Sequence, residues 1–553
     1  MTRAGPRPGP VRGHRRLRTS LAALGCAALL AACHDGAGPG EDGKEQIDVV
    51  ASVHAWVEVD SPGTPISPHI YGSNQDRPGS RWTVRRWGGN RTTGYNWETN
   101  ASNAGSDWNH SSDLYVVTSA GLPSSDAAIP GIALRHHHQR SLAMGAESII
   151  TVQMAGYVAA DTDGPVLESE TAPSDRWLPV VYARGAPFDA DPDLSDGVVY
   201  MDELVHRLVQ EFGPASGDGV RWYSLDNEPA LWAHTHPRIH GDPVTAMELV
   251  DRSVALAGAV KAVDPDAGIM GPALYGMTAF VSLQDAPDWA QEGAGYDWFI
   301  DYYLAEMQAA EAAAGRRLLD VLDVHWYPEA QGDHRITDPA ATTPADIEAR
   351  LQAPRTLWDP TYIEDSWIGQ WRQDFIPILP RLTAAIIDHY PGTGLAVTEY
   401  DYGGGATISG GLAQADVLGA FGRHGVDIAS LWGIEAEEAY QAVAFELYTD
   451  YDGAGRTFGS TSLPADTDDR GSLSIWASEE GSTLHVILIN KNTEGGLEVA
   501  LELRGGSSFG TAHAWGFGPE GATISERYGV EGIGSGAFAY RIPALTAIHL
   551  VLE

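Results

Sequence analysis

The stretch Trp222-Tyr223-Ser224-Leu225-Asp226-Asn227-Glu228-Pro229 decides the fold: four residues of strand character run without a break into a polar Asn-Glu pair, and a proline stops the run. Pro229 disfavours helix at Glu228, so the segment reads as a strand that ends on a carboxylic acid. A second stretch, Leu395-Ala396-Val397-Thr398-Glu399-Tyr400, does the same. Working outward from these two, β-branched or apolar runs recur at 70–72, 83–85, 148–153, 221–225, 268–271, 321–324, 395–398 and 428–431. Patterns of helical period lie between them, at 201–212, 246–263 and 300–314. Strands alternating with helices predict a (β/α)8 TIM barrel over 66–440, with its chemistry at the C-terminal strand ends. Glu228 then closes the fourth strand and Glu399 the seventh, and these lie across the barrel mouth from one another.

Beyond Trp432 the texture changes. Runs at 473–476, 484–489, 499–503 and 547–552 follow one another with turn residues between them and no helical period, which predicts an all-β sandwich domain over 441–553. The segment 47–65 opens with a similar alternation, so an N-terminal strand is expected to join the same sandwich.

The two ends and the charge narrow the setting. A basic segment (Arg12, Arg15, Arg16, Arg18) precedes a short apolar run that ends Leu30-Ala31-Ala32-Cys33. The run is too short to span a bilayer as a mature helix and reads as an export signal. Its end resembles a bacterial lipoprotein processing box, so residues 1–33 are expected to be a lipoprotein-type signal peptide and 34–46 a flexible tether. The protein is then lipid-anchored through Cys33 at the cell surface or outer membrane, or secreted. Cys26 and Cys33 are the only cysteines, so the folded part has no thiol for a disulfide or a zinc site. A formal charge of −39 argues against nucleic acid or an anionic lipid surface as a partner and suits a neutral substrate. A monomer is expected.

At a barrel strand end, an Asn-Glu pair supplies an amide that can bind a sugar 2-hydroxyl and a carboxylic acid that can protonate a glycosidic oxygen. Flat sugar rings need aromatic platforms interleaved with hydrogen-bonding side chains. The candidates at or past the strand ends are Asn90, Arg91, Asn96, Trp97, Trp108, Asn227, Trp232, His325, Trp326, Tyr327, Tyr400 and Trp432. Asn227 and Tyr400 rank next after the two glutamates. Asp161-Thr162-Asp163-Gly164 is an oxygen-rich turn, and a structural calcium is expected at Asp161 and Asp163, with no metal required for catalysis. Three adjacent histidines, His136 to His138, cannot all face one ion from a helix.

Three long motifs carry a specific resemblance: Arg86-Trp87-Gly88-Gly89-Asn90-Arg91-Thr92-Thr93-Gly94-Tyr95-Asn96-Trp97-Glu98, Asp226-Asn227-Glu228-Pro229-Ala230-Leu231-Trp232, and Asp323-Val324-His325-Trp326-Tyr327-Pro328. With Thr398-Glu399-Tyr400 they resemble glycoside hydrolase family 44 over about residues 47–553. The resemblance implies a barrel plus sandwich and a retaining endo-glycosidase acting on β-1,4-glucan backbones, cellulose-type glucans and xyloglucan. Its acid/base would be Glu228 and its nucleophile Glu399. A xylan- or mannan-preferring endo-hydrolase, or a surface glycan-binding protein that has lost catalysis, are the alternatives.

Overall fold

A computed structural model describes residues 47–74, 81–433, 437–534 and 536–553 of the chain. The expected signal peptide and tether lie outside the described residues. Eight parallel strands close into a barrel: β1 (Gly72–Ser73), β2 (Val84–Trp87), β3 (Glu147–Val152), β4 (Trp222–Leu225), β5 (Gly268–Leu274), β6 (Val321–Trp326), β7 (Gly394–Tyr400) and β8 (Ile428–Leu431). Each pairs with the next in chain order and β8 pairs with β1, so the two glutamate-bearing strands are the fourth and seventh. The helices that wrap it include α1 (Ile132–Met144), α2 (Met201–Phe212), α3 (Ala246–Val263), α4 (Phe299–Ala314), α5 (Ile378–His389) and α6 (Ile408–Arg423). Their ends follow local chemistry. Asp202 and Glu203 sit in the first turn of α2, where the helix dipole favours negative charge. The Thr245 hydroxyl caps α3 by accepting from the Glu248 amide at 3.0 Å.

Alternation along the strands fills the barrel in layers. Val84, Ile149, Met270, Val321, Ala396 and Ile428 form an apolar floor with Trp222. Two residues further along, on every one of these strands except β5, where Pro272 follows, the inward positions become Arg86, Thr151, Ser224, Asp323, Thr398 and Ser430, each at most 1% exposed. A polar layer therefore separates the apolar floor from the mouth. At Thr398 the register breaks: Val324 pairs with Val397, but His325 pairs with Glu399. The same extra residue shows against β8, where Ala429 pairs with Val397 and Leu431 with Tyr400. This β-bulge lets both Thr398 and Glu399 face inward, which strict alternation forbids.

The sandwich has a four-stranded and a seven-stranded sheet. Residues Val49–Glu58 lie in the first, parallel to Gly496–Arg504 and antiparallel to Ala465–Thr467, so the N-terminal strand joins the C-terminal domain. Along Thr483–Asn490, Val486 and Leu488 enter the sandwich core while Ile487 and Ile489 join the barrel-side core. The seven-stranded sheet is thus apolar on both faces. It docks on α6, where a Cβ at Gly419 would lie 2.2 Å from the Trp476 indole and Asp416 accepts from Ser474 (2.8 Å) and Trp476 (2.9 Å). The expectation of strands alone after Trp432 needs correction: a helix, α7 (Ala439–Thr449), precedes them. Its Ala442, Val443, Phe445 and Leu447 belong to the barrel-side core, so the domain boundary expected at 440 falls inside a helix.

Candidate active site

The end of β4 is built from strained backbone. Asp226 (φ 64°) and Glu228 (φ 44°) both adopt the left-handed region, which costs about 1–3 kcal/mol each for such residues. The Asp226 carboxylate offsets this by accepting four hydrogen bonds: Thr93 Oγ1 at 2.6 Å, Met154 N at 2.5 Å, Ala155 N at 2.9 Å and Asn227 N at 2.8 Å. Met154 and Ala155 follow the end of β3 and Thr93 lies on a short helix after β2, so a buried aspartate ties these segments to the end of β4 and turns the next residues into the mouth. The Glu228 amide donates to Ala273 O on β5 at 3.1 Å, which fixes the direction of its side chain.

Glu228 and Glu399 meet across the mouth with His325 between them. His325 Nδ1 lies 3.0 Å from Glu228 Oε1 and 3.5 Å from Glu399 Oε2. One oxygen of each carboxylate and this nitrogen all fall within 4.8 Å of one another. Arg86, with a fully buried side chain, spreads its fork beneath them: Nη1 donates to Glu399 Oε1 at 2.7 Å and to Asn74 Oδ1 at 3.0 Å, and Nη2 to Asn227 Oδ1 at 2.8 Å. The Tyr327 hydroxyl donates to Glu399 Oε2 at 2.9 Å. Both Glu399 oxygens are therefore held, as a positioned nucleophile requires.

The charges differ by environment. Burial pushes Glu399 up, but His325, Arg86 and the Tyr327 hydrogen bond together outweigh it and hold this carboxyl below its ordinary range. Burial opposes an imidazolium at His325, yet the two glutamates raise it above its ordinary value. Nδ1, 3.0 Å from Glu228 Oε1, is placed to donate to that carboxylate. Tyr327 is held well above the ordinary phenol range, by burial and then by the Glu399 charge, and stays a donor.

These groups open into a cleft of 1220 Å³ whose lining includes Trp87, Asn90, Arg91, Trp108, Asn227, Tyr327 and Trp432 beside both glutamates. Trp108 is 65% exposed and offers a ring face to solvent. Trp432 lies over Gly89, whose positive φ (90°) and lack of a side chain admit the ring: a Cβ there would stand 2.7 Å from it. Asn227 Nδ2 donates to Asn90 Oδ1 at 3.2 Å, and Asn90 in turn to Asp107 at 3.2 Å, so the amides are ordered along the floor.

Five expected sugar contacts are corrected by burial. Asn96 and Trp97 are fully enclosed, donating to Ala159 O and Tyr200 O respectively. Trp232 is enclosed beside the His240 ring. Trp326 and Tyr400 fail for one reason, alternation: His325 and Glu399 face inward, so their successors point out into the helices, Trp326 onto Phe280 and Tyr400 onto Phe421 and Gln414. His325 holds the two glutamates but is itself fully buried. Arg86 was not anticipated, although it stands two residues past inward-facing Val84.

The expected calcium turn does not fit an ion. Arg176 takes Asp161 through Nε at 2.7 Å and Nη2 at 3.0 Å, so a guanidinium already neutralises the carboxylate that would bind the cation, and Asp163 adds only its amide to Asp161. The three histidines diverge: His137 faces Arg85 O, while His138 bonds Ser148 Oγ and Asp218 O.

Comparison with known proteins agrees with the geometry. Residues 101–330 match the model of glycoside hydrolase family 44. Endoglucanase A of Paenibacillus lautus is 50% identical over 503 residues, which are 90% of this chain and 72% of that protein. The crystal structure of a family 44 endoglucanase from Clostridium thermocellum superposes with a TM-score of 0.89 at 52% identity, covering 91% of this chain and 100% of that one. That of a Paenibacillus polymyxa xyloglucanase gives 0.89 at 49% identity, with 91% and 100% covered. With half of its residues shared across nine-tenths of its length, and the same barrel and sandwich, the chain belongs to glycoside hydrolase family 44.

Proposed function

We propose that the protein is an endo-acting hydrolase of β-1,4-glucan backbones, cellulose-type glucans and xyloglucan, and that it works by double displacement with retention. The observation that carries the mechanism is the approach of the two carboxylates, with oxygens within 4.8 Å. Retaining enzymes hold the pair about 5–5.5 Å apart, whereas inverting ones leave about 6.5–9.5 Å for a water. Glu399, kept ionised by Arg86 and Tyr327, attacks the anomeric carbon as Glu228 gives its proton to the departing oxygen. Glu228 then takes a proton from water, which releases the sugar from Glu399. Asn227, ordered by Arg86 and Asn90, is placed to bond the 2-hydroxyl, a contact that tightens in the transition state. A long open cleft with ring faces such as Trp108 suits a chain that runs through the site, hence internal cleavage. The test is hydrolysis of xyloglucan, carboxymethyl cellulose, xylan and mannan. Rapid viscosity loss with few new reducing ends on the first two supports the reading, whereas a preference for xylan or mannan replaces the substrate class and no turnover on any of them leaves a binding protein.

Glu98 is 3% exposed, and burial, then Asp196, Glu203 and Asp193, push its carboxyl from 4.5 up to about 8 against the opposing charge of Arg184. The folded state then holds a proton that the unfolded chain has lost, so the protein should lose stability as the pH rises from about 4.5 to about 8. Thermal melts across that range check this, and the same melts with chelator and with added calcium test for a structural calcium. Export and acylation of Cys33 also remain proposals. Radiolabelled palmitate should enter the wild type and not Cys33→Ser, and equal labelling would dismiss the anchor.

A further inference from the structure

Asp323 is a buried acid that the reaction above does not use. It faces into the barrel on β6, two residues before His325, and is completely enclosed. Its Oδ1 accepts the Thr398 hydroxyl at 2.7 Å. Its Oδ2 is buried without a hydrogen-bond partner among the described residues. Thr398 is the extra residue of the β7 bulge, flanked by Val397, still in register with β6, and by Glu399, one place out of it. The single bond between Asp323 and Thr398 thus ties the bulge to the neighbouring strand at the level where Glu399 leaves the normal alternation.

We propose that Asp323 is a positioning residue for the nucleophile: through the Thr398 hydroxyl it holds the bulge that turns Glu399 into the cleft. The inference rests on Glu399 being the nucleophile. A bulge by itself leaves a residue unpaired in the ladder and free to settle either way. With Thr398 anchored inward, its successor has one well-defined direction, toward Arg86 and Tyr327. Burial raises the Asp323 carboxyl above its ordinary range against the pull of His325 and Arg86. The second Thr398-side restraint is the backbone: Asn74 Nδ2 donates to Thr398 O at 2.8 Å, so the bulged residue is held at both its carbonyl and its hydroxyl.

The test separates this link from the nucleophile assignment. A 2-deoxy-2-fluoro cellobioside with an activated leaving group traps the covalent intermediate; peptide mass analysis locates the label and its rate reports the first chemical step alone. Label on Glu399 upholds the nucleophile, and label elsewhere removes the reading on which the proposal rests. Thr398→Val deletes the hydroxyl and keeps the side-chain shape, so it stands even if Asp323→Ala fails to fold. It should slow labelling per active site by about 10²-fold, the scale expected for a misplacement near 1 Å, with KM within a few-fold. Asp323→Asn, which can still accept the hydroxyl, should recover most of that rate and leave the acid limb of its pH profile in place. A folded Asp323→Ala,Thr398→Val double variant should be no slower than Thr398→Val alone, because both changes remove one link. Wild-type labelling by Thr398→Val would overturn the proposal. So would an Asp323→Asn variant as slow as Thr398→Val, which would point to charge at Asp323 instead of the hydroxyl link.

Discussion

Glu399→Gln is expected to lower kcat on β-glucan by on the order of 10³-fold or more while leaving the affinity for cello-oligosaccharides nearly intact. The amide is the same size and still accepts from Arg86 or Tyr327, so the cleft keeps its shape, but its neutral oxygen is too weak a nucleophile to attack the anomeric carbon. Calorimetric binding beside steady-state kinetics on xyloglucan checks both halves. Because His325, Arg86 and Tyr327 hold Glu399 below the ordinary carboxyl range, activity in the wild type should be lost only as the pH falls through that depressed value. Its acid limb should thus lie below that of an unassisted glutamate.

Removal of the proton donor should look different. Glu228→Ala is expected to lose about 10²–10⁴-fold on polymer, whose leaving group is a poor one. An aryl glycoside with an acidic phenol needs no such help in the first step, so its burst should survive while turnover stalls at the glycosyl-enzyme. Azide, which attacks without a general base, should restore turnover and give a β-glycosyl azide. The same rescue of Glu399→Ala should give the α-product, since azide then attacks in place of the carboxylate. Product configuration in the two variants therefore assigns the roles independently of their rates, and a swapped pattern would exchange them.

How much of this was legible beforehand depends on which physical rule applied. The barrel was readable because apolar runs and helical periods are properties of local sequence, and α2 and α3 occur at the expected bounds of 201–212 and 246–263. Glu228 and Glu399 were readable because an apolar run that ends on an acid is rare without a purpose. Tyr400 turns away from the cleft because the bulge at Thr398 shifts register by one residue with no mark in composition, whereas Trp326 follows inward-facing His325 and points out by plain alternation. Trp97 and Trp232 were misread for another reason: an indole is as good a core residue as a sugar platform, and only the fold tells which. Arg86 is the instructive omission. Two residues beyond an inward valine, period two alone places it beneath the catalytic pair. The pairing of Asp161 with Arg176, fifteen residues on, has no mark in the local sequence of the turn, since the two meet only after folding.

Double displacement requires direct attack by one carboxylate at the carbon whose bond the other helps to break. Proton NMR of xyloglucan hydrolysis, recorded before mutarotation, reads this directly through the anomeric signal of the first reducing end to appear. Retention predicts the β-anomer first, with the α-anomer growing in only as mutarotation proceeds. An α-anomer at the earliest times would mean that water, not Glu399, reaches the anomeric carbon, and would contradict the mechanism drawn from this geometry.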